Sequence, residues 1–191
     1  MFSELVKATR SFRNFDPKYR ISDETMRSLI ELCRYTPSTA NSQSIKFAYA
    51  NSVESCEKIF PMLGWAGYIK ENKPPYDGNV PAAYILLCYD TDLSNELEID
   101  AGICAQTIVL GAMDNGIGAC MIGSFDKSKA AELFELPDNI KPRLFIALGK
   151  PAETVEVVDI KDGDVKYYRE GKEKHIVPKR TTEELIVNSN P

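Results

Sequence analysis

Two residue types that carry much of protein chemistry are scarce in this chain of 191 residues. It has one histidine, His175, and none of its cysteines stand in a CxxC pair. The five cysteines are far apart in the sequence: Cys33, Cys56, Cys88, Cys104 and Cys120. Because zinc and iron–sulfur sites need several such ligands at close spacing, we expect no metal site. We expect the three cysteines in apolar stretches, Cys88, Cys104 and Cys120, to be buried thiols of a cytoplasmic protein without a redox role.

Other familiar signatures are also missing. No GxGxxG segment follows a predicted strand and no GxxxxGK[ST] segment occurs, which disfavours the Rossmann and P-loop classes. The N-terminus lacks the apolar stretch of a signal peptide. The longest nearly apolar run, residues 81–89, is too short to cross a membrane and is typical of a buried strand.

The charge balance narrows the class of partner. There are 23 Lys and Arg against 28 Asp and Glu, a formal net charge of −5. An acidic chain is unlike most nucleic-acid binders, although a few arginines can still create a local site for a small anion. With 43% hydrophobic and 27% charged residues, the composition is that of an ordinary globular protein, and the length fits a single domain over residues 1–191.

Helical and strand patterns alternate along the chain, which predicts an α+β fold with mixed α/β layers. Ser22 is expected to cap a helix, and residues 98–115 form the longest helical pattern. Strands are expected at residues 45–49, 81–89, 117–122 and 143–148. Beyond residue 150 the apolar density falls and the chain carries short strand-like pieces. We interpret this part as an extension wrapped on a partner surface, with His175 exposed.

Two polar segments are candidate binding elements. In the first, Arg10, Ser11 and Arg13 place two guanidinium groups and a hydroxyl where they can hold a phosphate or another planar anion. The alternative is a solvated helix end with cations near its negative pole. The second segment, residues 37–43, concentrates hydroxyls and amides that can hydrogen-bond a heteroaromatic edge or a sugar chain; a plain capping loop is the alternative.

In their order and spacing these segments resemble the nitroreductase family of FMN-dependent oxidoreductases. Members of the family have an R-S-x-R-x-F segment followed by P-S-x-x-N-x-Q. The likeness continues through residues 116–125, similar to the family's G-x-G-x-x-x-I-G-x-F, through Leu148-Gly149-Lys150-Pro151, similar to L-G-x-P, and to a basic residue near the C-terminus, Arg180. The chain departs at Thr9, where the family often has another basic residue, and at Ser44-Ile45, where it commonly has Pro-Trp.

The resemblance implies a nitroreductase-like fold, with a central mixed, mainly antiparallel sheet flanked by helices and a C-terminal extension wrapping the partner subunit. It implies a homodimer that holds FMN non-covalently at the subunit interface. Arg13 would lie near the N1–C2=O edge of the flavin, and the Gly123 and Ser124 amides near N5 and O4. The implied binding set is Arg10, Ser11, Arg13, Pro37, Ser38, Thr39, Asn41, Gln43, Ile122, Gly123, Ser124, Lys179 and Arg180. Pro37, Ser38, Thr39 and Asn41 would reach the flavin from the other subunit, Ile122 with Met121 would face the ring, and Arg180 with Lys179 would close on the phosphate.

The implied reaction passes hydride from NADH or NADPH to flavin N5 and then electrons to a nitroaromatic, a quinone or a similar small acceptor, with ping-pong kinetics. No side chain need act as acid or base, and Arg13 tunes the cofactor. The alternatives are a flavoenzyme of other specificity on the same scaffold, such as a dehalogenase or a metabolite oxidase, a non-catalytic flavin-binding protein, and an interaction domain without a cofactor. Trp65 and Tyr68, in the irregular residues 64–80, are either substrate-selecting side chains or packed loop aromatics.

Overall fold

A computed structural model describes residues 1–71, 73–76, 78–94 and 98–189. The α-helices are α1 (Phe2–Ala8), α2 (Asp23–Glu31), α3 (Val53–Ile59), α4 (Glu98–Asp114), α5 (Lys127–Leu133) and α6 (Thr182–Leu185). Short 3₁₀ helices occupy Leu32–Tyr35, Thr39–Asn41 and Phe60–Met62. The strands are β1 (Ile45–Ala50), β2 (Ala83–Asp90), β3 (Gly118–Ile122), β4 (Ile140–Gly149), β5 (Thr154–Asp159), β6 (Tyr168–Glu170) and β7 (Lys174–Lys179).

The strands form two sheets. The central sheet has the order β1-β2-β4-β3, and its neighbouring strands are antiparallel. A second sheet has the order β5-β7-β6, in which β5 runs parallel to β7 and β6 antiparallel to it. The predicted α+β fold with a mainly antiparallel sheet is confirmed, and among the named strands the parallel pairing lies in the second sheet.

The central sheet is buried on both faces, because successive residues of β2 point alternately to two cores. Ile85 and Leu87 belong to a core that includes residues of α2 and α4. Tyr84 and Leu86 belong to a second core, with Phe145 of β4 and residues of α3 and α5. This arrangement explains why residues 81–89 are almost continuously apolar.

Most of the helices and strands predicted from the sequence begin and end within a few residues of those in the structure. Ser22 caps α2 as predicted, with the Thr25 amide donating to its hydroxyl at 3.1 Å. Residues 154–179 build the second sheet on their own chain, so this part of the molecule is more ordered than an extension alone. Wrapping of the C-terminal residues around a partner stays a prediction. Within the described ranges, the helices fall short of the length and apolar character that a membrane crossing demands.

Two glycines opposite each other form a notch in the central sheet. Gly118 of β3 pairs with Gly149 of β4. A Cβ atom on Gly118 would lie 2.8 Å from the ring of Phe12, and one on Gly149 would lie 2.7 Å from the ring of Phe15. Both phenylalanines are buried, so their rings fill space that only glycine leaves open. The notch therefore fixes where residues 12–15 lie on the sheet.

We expect Gly149→Ala to lower the free energy of unfolding by about 1–3 kcal/mol, because the new methyl group overpacks the fully buried Phe15. Urea unfolding measures the change. Gly67→Ala is the control, because a Cβ atom there has open space, and its effect should stay within about 0.5 kcal/mol. Equal stability of the two variants would contradict the close packing of Phe15 against Gly149.

Candidate active site

The segment that follows α1 is held along the edge of the central sheet by backbone hydrogen bonds. The Phe12 amide donates to the Ala119 carbonyl at 2.9 Å, and the Asp16 amide donates to the Lys150 carbonyl at 2.8 Å. The Ala152 amide donates to the Asn14 carbonyl at 2.9 Å. These bonds orient the intervening side chains, and Arg10, Ser11 and Arg13 all line one cavity.

This cavity, which we call the Arg13 cavity, has a volume of about 370 Å³. It lies between the N-terminal segment, α4, β3 and the second sheet. Its polar lining residues are Thr9, Arg10, Ser11, Arg13, Gln106, Tyr167, His175 and Lys179, and its apolar ones are Val109, Ala119, Met121, Val155 and Val177. It holds three cationic side chains, Arg10, Arg13 and Lys179, and none of the described residues that line it is acidic.

The Arg13 guanidinium is held from three sides. Its Nη1 donates to the Ser11 carbonyl at 3.1 Å and lies 3.1 Å from His175 Nε2. The guanidinium carbon also lies 4.7 Å from the centre of the Tyr167 ring, a cation–π contact. A positive charge is thereby kept at one position in the cavity wall.

His175 is fully buried, so the expectation of an exposed histidine is wrong. Burial, and then the positive charges of Arg13 and Arg169, lower the pKa of His175 to about 4. The imidazole is therefore neutral at pH 7, and its Nε2 accepts the hydrogen bond from Arg13. The proton then resides on Nδ1, which has no hydrogen-bond partner among the described residues.

A buried ion pair supports the same region. Glu153 and Arg169 approach to 2.6 Å, and their side chains are 0% and 6% exposed. Glu153 also accepts hydrogen bonds from the backbone amides of Arg13 and, at 3.1 Å, Asn14. Sequence reasoning missed Glu153, Arg169 and Tyr167, because nothing local distinguishes them from the surface residues of a polar segment.

The other predicted cations differ in what they face. Arg10 bends back onto the end of α1, donating from Nε to the Thr9 carbonyl at 2.5 Å and from Nη2 to the Val6 carbonyl at 2.9 Å. Lys179, the last residue of β7, lines the cavity. Arg180 is not among the lining residues, and its Nη1 pairs with Glu184 at 3.2 Å.

The predicted residues at the end of β3 point in different directions. Met121 lines the cavity, whereas the Ile122 side chain is buried in the core with Phe145, because successive strand residues face opposite sides. Gly123 and Ser124 are exposed just beyond the strand, where the Ser124 carbonyl accepts from the Gly64 amide at 2.7 Å.

Ser38, Asn41 and Gln43 line a second cavity of about 310 Å³, which we call the Asn41 cavity. Asp100 of α4, which is buried, holds the loop: its carboxylate accepts from the Thr39 amide at 2.9 and 3.1 Å and from the Thr39 hydroxyl at 2.9 Å. Pro37 is exposed at the start of this loop.

The backbone of this loop is strained. Ala40, Asn41 and Gln43 have φ angles of 49°, 54° and 51°, in the left-handed region that residues other than glycine seldom adopt. Such strain concentrates at ligand-binding positions.

Within one chain, the two binding segments predicted from the sequence therefore line separate cavities. Gln106 and Val109 of α4 line the Arg13 cavity, whereas Asp100 and Cys104, nearer the start of the same helix, line the Asn41 cavity. Throughout the part of the chain that the structure describes, no group of three or more His, Cys, Asp or Glu side chains could hold a metal ion.

Comparison with known proteins defines the class. The nitroreductase family fold is seen in a crystal structure of a nitroreductase family protein from Streptococcus pneumoniae TIGR4, which matches with a TM-score of 0.69 at 25% identity and covers 82% of this chain and 93% of that one. A protein from Exiguobacterium sibiricum, described as a “putative nitroreductase” and solved in complex with FMN, matches with a TM-score of 0.68 at 22% identity over 88% and 97% of the two chains.

The sequence comparisons identify the family. A Bacillus subtilis protein named “Putative NAD(P)H nitroreductase YdgI” is 26% identical over 186 residues, which cover 80% of this chain and 89% of that protein. The sequence model described as “Nitroreductase family” matches residues 6–150. The chain belongs to the nitroreductase family, which confirms the resemblance in the motifs.

The lowered pKa of His175 predicts a specific pH dependence. Between pH 6.5, its ordinary pKa, and about 4, the unfolded chain binds a proton that the folded protein does not. Stability should fall as the pH drops through this window, by up to about 1.4 kcal/mol per pH unit. Urea unfolding at pH 7 and at pH 5 measures the effect.

The control is His175→Gln, whose amide oxygen keeps an acceptor for Arg13 but does not titrate. His175 is the one histidine of the chain, so the substitution removes only the imidazole. The carboxylates contribute equally to the pH dependence of stability in both proteins. The loss of stability between pH 7 and pH 5 should be smaller in the variant, and equal losses would exclude a buried neutral imidazole.

Proposed function

We propose that the protein is an FMN-dependent NAD(P)H oxidoreductase whose flavin site is the Arg13 cavity. The observation that carries the proposal is the cluster of Arg10, Arg13 and Lys179 in a cavity that no described acidic residue lines. In a chain of net charge −5, this local excess of positive charge fits an anionic ligand. Family membership, and the FMN complex of the Exiguobacterium protein of the same fold, support FMN as that ligand.

The cavity residues suit both parts of this cofactor. The cations Arg10 and Lys179 can bind a phosphate through charge-assisted hydrogen bonds. Val109, Ala119 and Met121 offer apolar surface to an aromatic ring system. The Ser11 hydroxyl in the cavity, and the backbone amides of Gly123 and Ser124 just beyond β3, are the polar groups proposed to orient it.

Arg13 is proposed to tune the reactivity. The chemistry supplied by bound FMN is two-electron transfer from NADH or NADPH to a nitroaromatic, a quinone or a similar acceptor, in two ping-pong half-reactions. His175, Tyr167 and the Ser11 carbonyl hold the Arg13 guanidinium in place. A preorganised cation stabilises negative charge that develops beside it during the reaction, without the cost of reorienting the side chain.

We further propose a homodimer in which residues 37–43 of one chain, which we call the Asn41 loop, complete the flavin site of the other. Two observations support it. The strained loop lines a cavity separate from the Arg13 cavity of its own chain. Near the C-terminus, Leu185, Ile186 and Val187 are 69%, 55% and 101% exposed, an apolar run that a partner subunit could cover.

The function is tested on the purified protein. We expect a yellow preparation that releases FMN on denaturation and has twice the chain mass by sedimentation. Anaerobic NADH or NADPH should bleach it, and a nitroaromatic or a quinone should restore the colour.

A bound flavin that neither nicotinamide reduces would indicate a non-catalytic flavin protein. Failure to bind FMN at all would favour an interaction domain. Bleaching without reoxidation by either acceptor class would point to a flavoenzyme of other specificity.

Exchange of the cations tests the assigned site. Since a hydrogen bond to a charged group contributes about 1.5–3 kcal/mol, Arg13→Ala and Lys179→Ala should each weaken FMN binding by about tenfold or more. Titration of the apoprotein by flavin fluorescence measures this.

Arg20→Ala is the matched control. Arg20 also donates to backbone carbonyls, those of Pro17 at 2.7 Å and Tyr19 at 2.8 Å, but it lies outside the cavity. Its exchange should leave the affinity unchanged. Arg180→Ala tests whether the guanidinium leaves Glu184 for the phosphate. Unchanged FMN affinity in Arg13→Ala would contradict the assignment of the flavin site to the Arg13 cavity.

A further inference from the structure

Two cysteines that are 71 positions apart in the sequence meet where the 3₁₀ helix Leu32–Tyr35 packs on α4. Cys33 Sγ donates to the backbone carbonyl of Cys104 at 3.7 Å. The Thr36 hydroxyl lies 3.6 Å from Cys104 Sγ. The Cys33 thiol and Cys104 are therefore neighbours in space, which is the first requirement for a disulfide.

Both thiols can be reached from a cavity. Cys33 is half-buried, Cys104 is 6% exposed, and both line the Asn41 cavity. Cys56 offers a comparison, because it is 7% exposed, lines a different cavity and donates to the carbonyls of Ala50 at 3.8 Å and Ala82 at 3.6 Å. It thus matches Cys104 in burial and position on a cavity wall.

The contact makes the two sulfur atoms chemically unequal. The neighbouring Cys33 side chain, helped by the Thr36 hydroxyl, lowers the pKa of Cys104 to about 7 against the opposing effects of burial and of the Asp100 carboxylate. The neighbouring Cys104 side chain, with burial, raises the pKa of Cys33. Burial raises the pKa of Cys56 to about 11. Since the thiolate is the nucleophile, Cys104, the thiol with the lowered pKa, is expected to attack first.

We propose that Cys33 and Cys104 form a redox-active dithiol site, which takes a hydroperoxide as its oxidant and closes to a reversible disulfide. The Cys104 thiolate attacks the terminal peroxide oxygen, so that an S–O bond forms and the O–O bond breaks. Hydroxide leaves when the oxidant is hydrogen peroxide, and an alkoxide leaves when it is an organic hydroperoxide. The product is a sulfenic acid on Cys104. The Cys33 thiol then attacks that sulfur, the S–S bond forms, the S–O bond breaks and water leaves with the thiol proton. The dithiol loses two electrons and the peroxide gains them.

The site stands on the thiol pair and does not depend on FMN. The disulfide would join the 3₁₀ helix that precedes the Asn41 loop to α4, the helix whose Asp100 holds that loop. The proposed disulfide gives Cys104 a redox role, which the apolar sequence around this cysteine did not indicate.

Thiol counting tests the proposal. The reduced full-length protein is treated with hydrogen peroxide, denatured, alkylated with iodoacetamide and analysed by mass spectrometry. Of the five thiols, two should be lost to alkylation. A non-reducing digest should show a crosslink between Cys33 and Cys104 within one chain, and dithiothreitol should restore both thiols. Without peroxide, Cys104 of the native protein should react with iodoacetamide at least about tenfold faster than Cys56.

Three serine variants provide the controls. Cys33→Ser should stop at a sulfenic acid on Cys104 that dimedone traps, and Cys104→Ser should form neither product. Cys56→Ser should behave as the wild type does. Five alkylated thiols in the peroxide-treated wild type, or a crosslink that joins other cysteines or two chains, would overturn the proposal. If Cys33→Ser or Cys104→Ser fails to fold, the crosslink map of the wild type and of Cys56→Ser decides by itself.

Discussion

The packing of two phenylalanine rings into a notch of two glycines determines where the candidate site can form. Gly118 and Gly149 pair across β3 and β4, and Phe12 and Phe15 occupy the volume that their missing side chains leave. Arg13 lies between Phe12 and Phe15 in the sequence, so the packing of the two rings fixes the position of the backbone that carries Arg13. A protein interior tolerates little change in volume, and the position of this charge therefore follows from apolar packing.

Buried polar groups then connect this segment to the C-terminal sheet. Glu153 binds the backbone of Arg13 and the side chain of Arg169, while His175 accepts a hydrogen bond from the Arg13 side chain. Burying a charge is costly unless it is paired, which explains why Glu153 has Arg169 and why His175 is neutral. The Glu153 carboxylate contacts the Arg13 backbone rather than its guanidinium, whose charge is left to face the cavity. A chain of negative net charge can thus concentrate positive charge in one place.

Much of the fold could be predicted from local pattern. The cap at Ser22, the buried strand near residues 81–89 and the long helix α4 all follow from residue spacing that a short window contains. The order of short motifs was sufficient to indicate the family that the comparisons confirm. The burial of His175 could not be predicted, because its contact with Arg13 joins residues 162 positions apart in the chain.

The sequence by itself determined the α+β class, the family and a set of candidate residues, because these depend on composition, periodicity and motif order. Only the tertiary structure decided which of those residues face one cavity. It places Lys179 in the cavity and pairs Arg180 with Glu184, and it turns Met121 toward the cavity and Ile122 into the core. It also brings Cys33 against Cys104. The physical reason is that desolvation and side-chain contact depend on neighbours in space, which chain packing alone brings together.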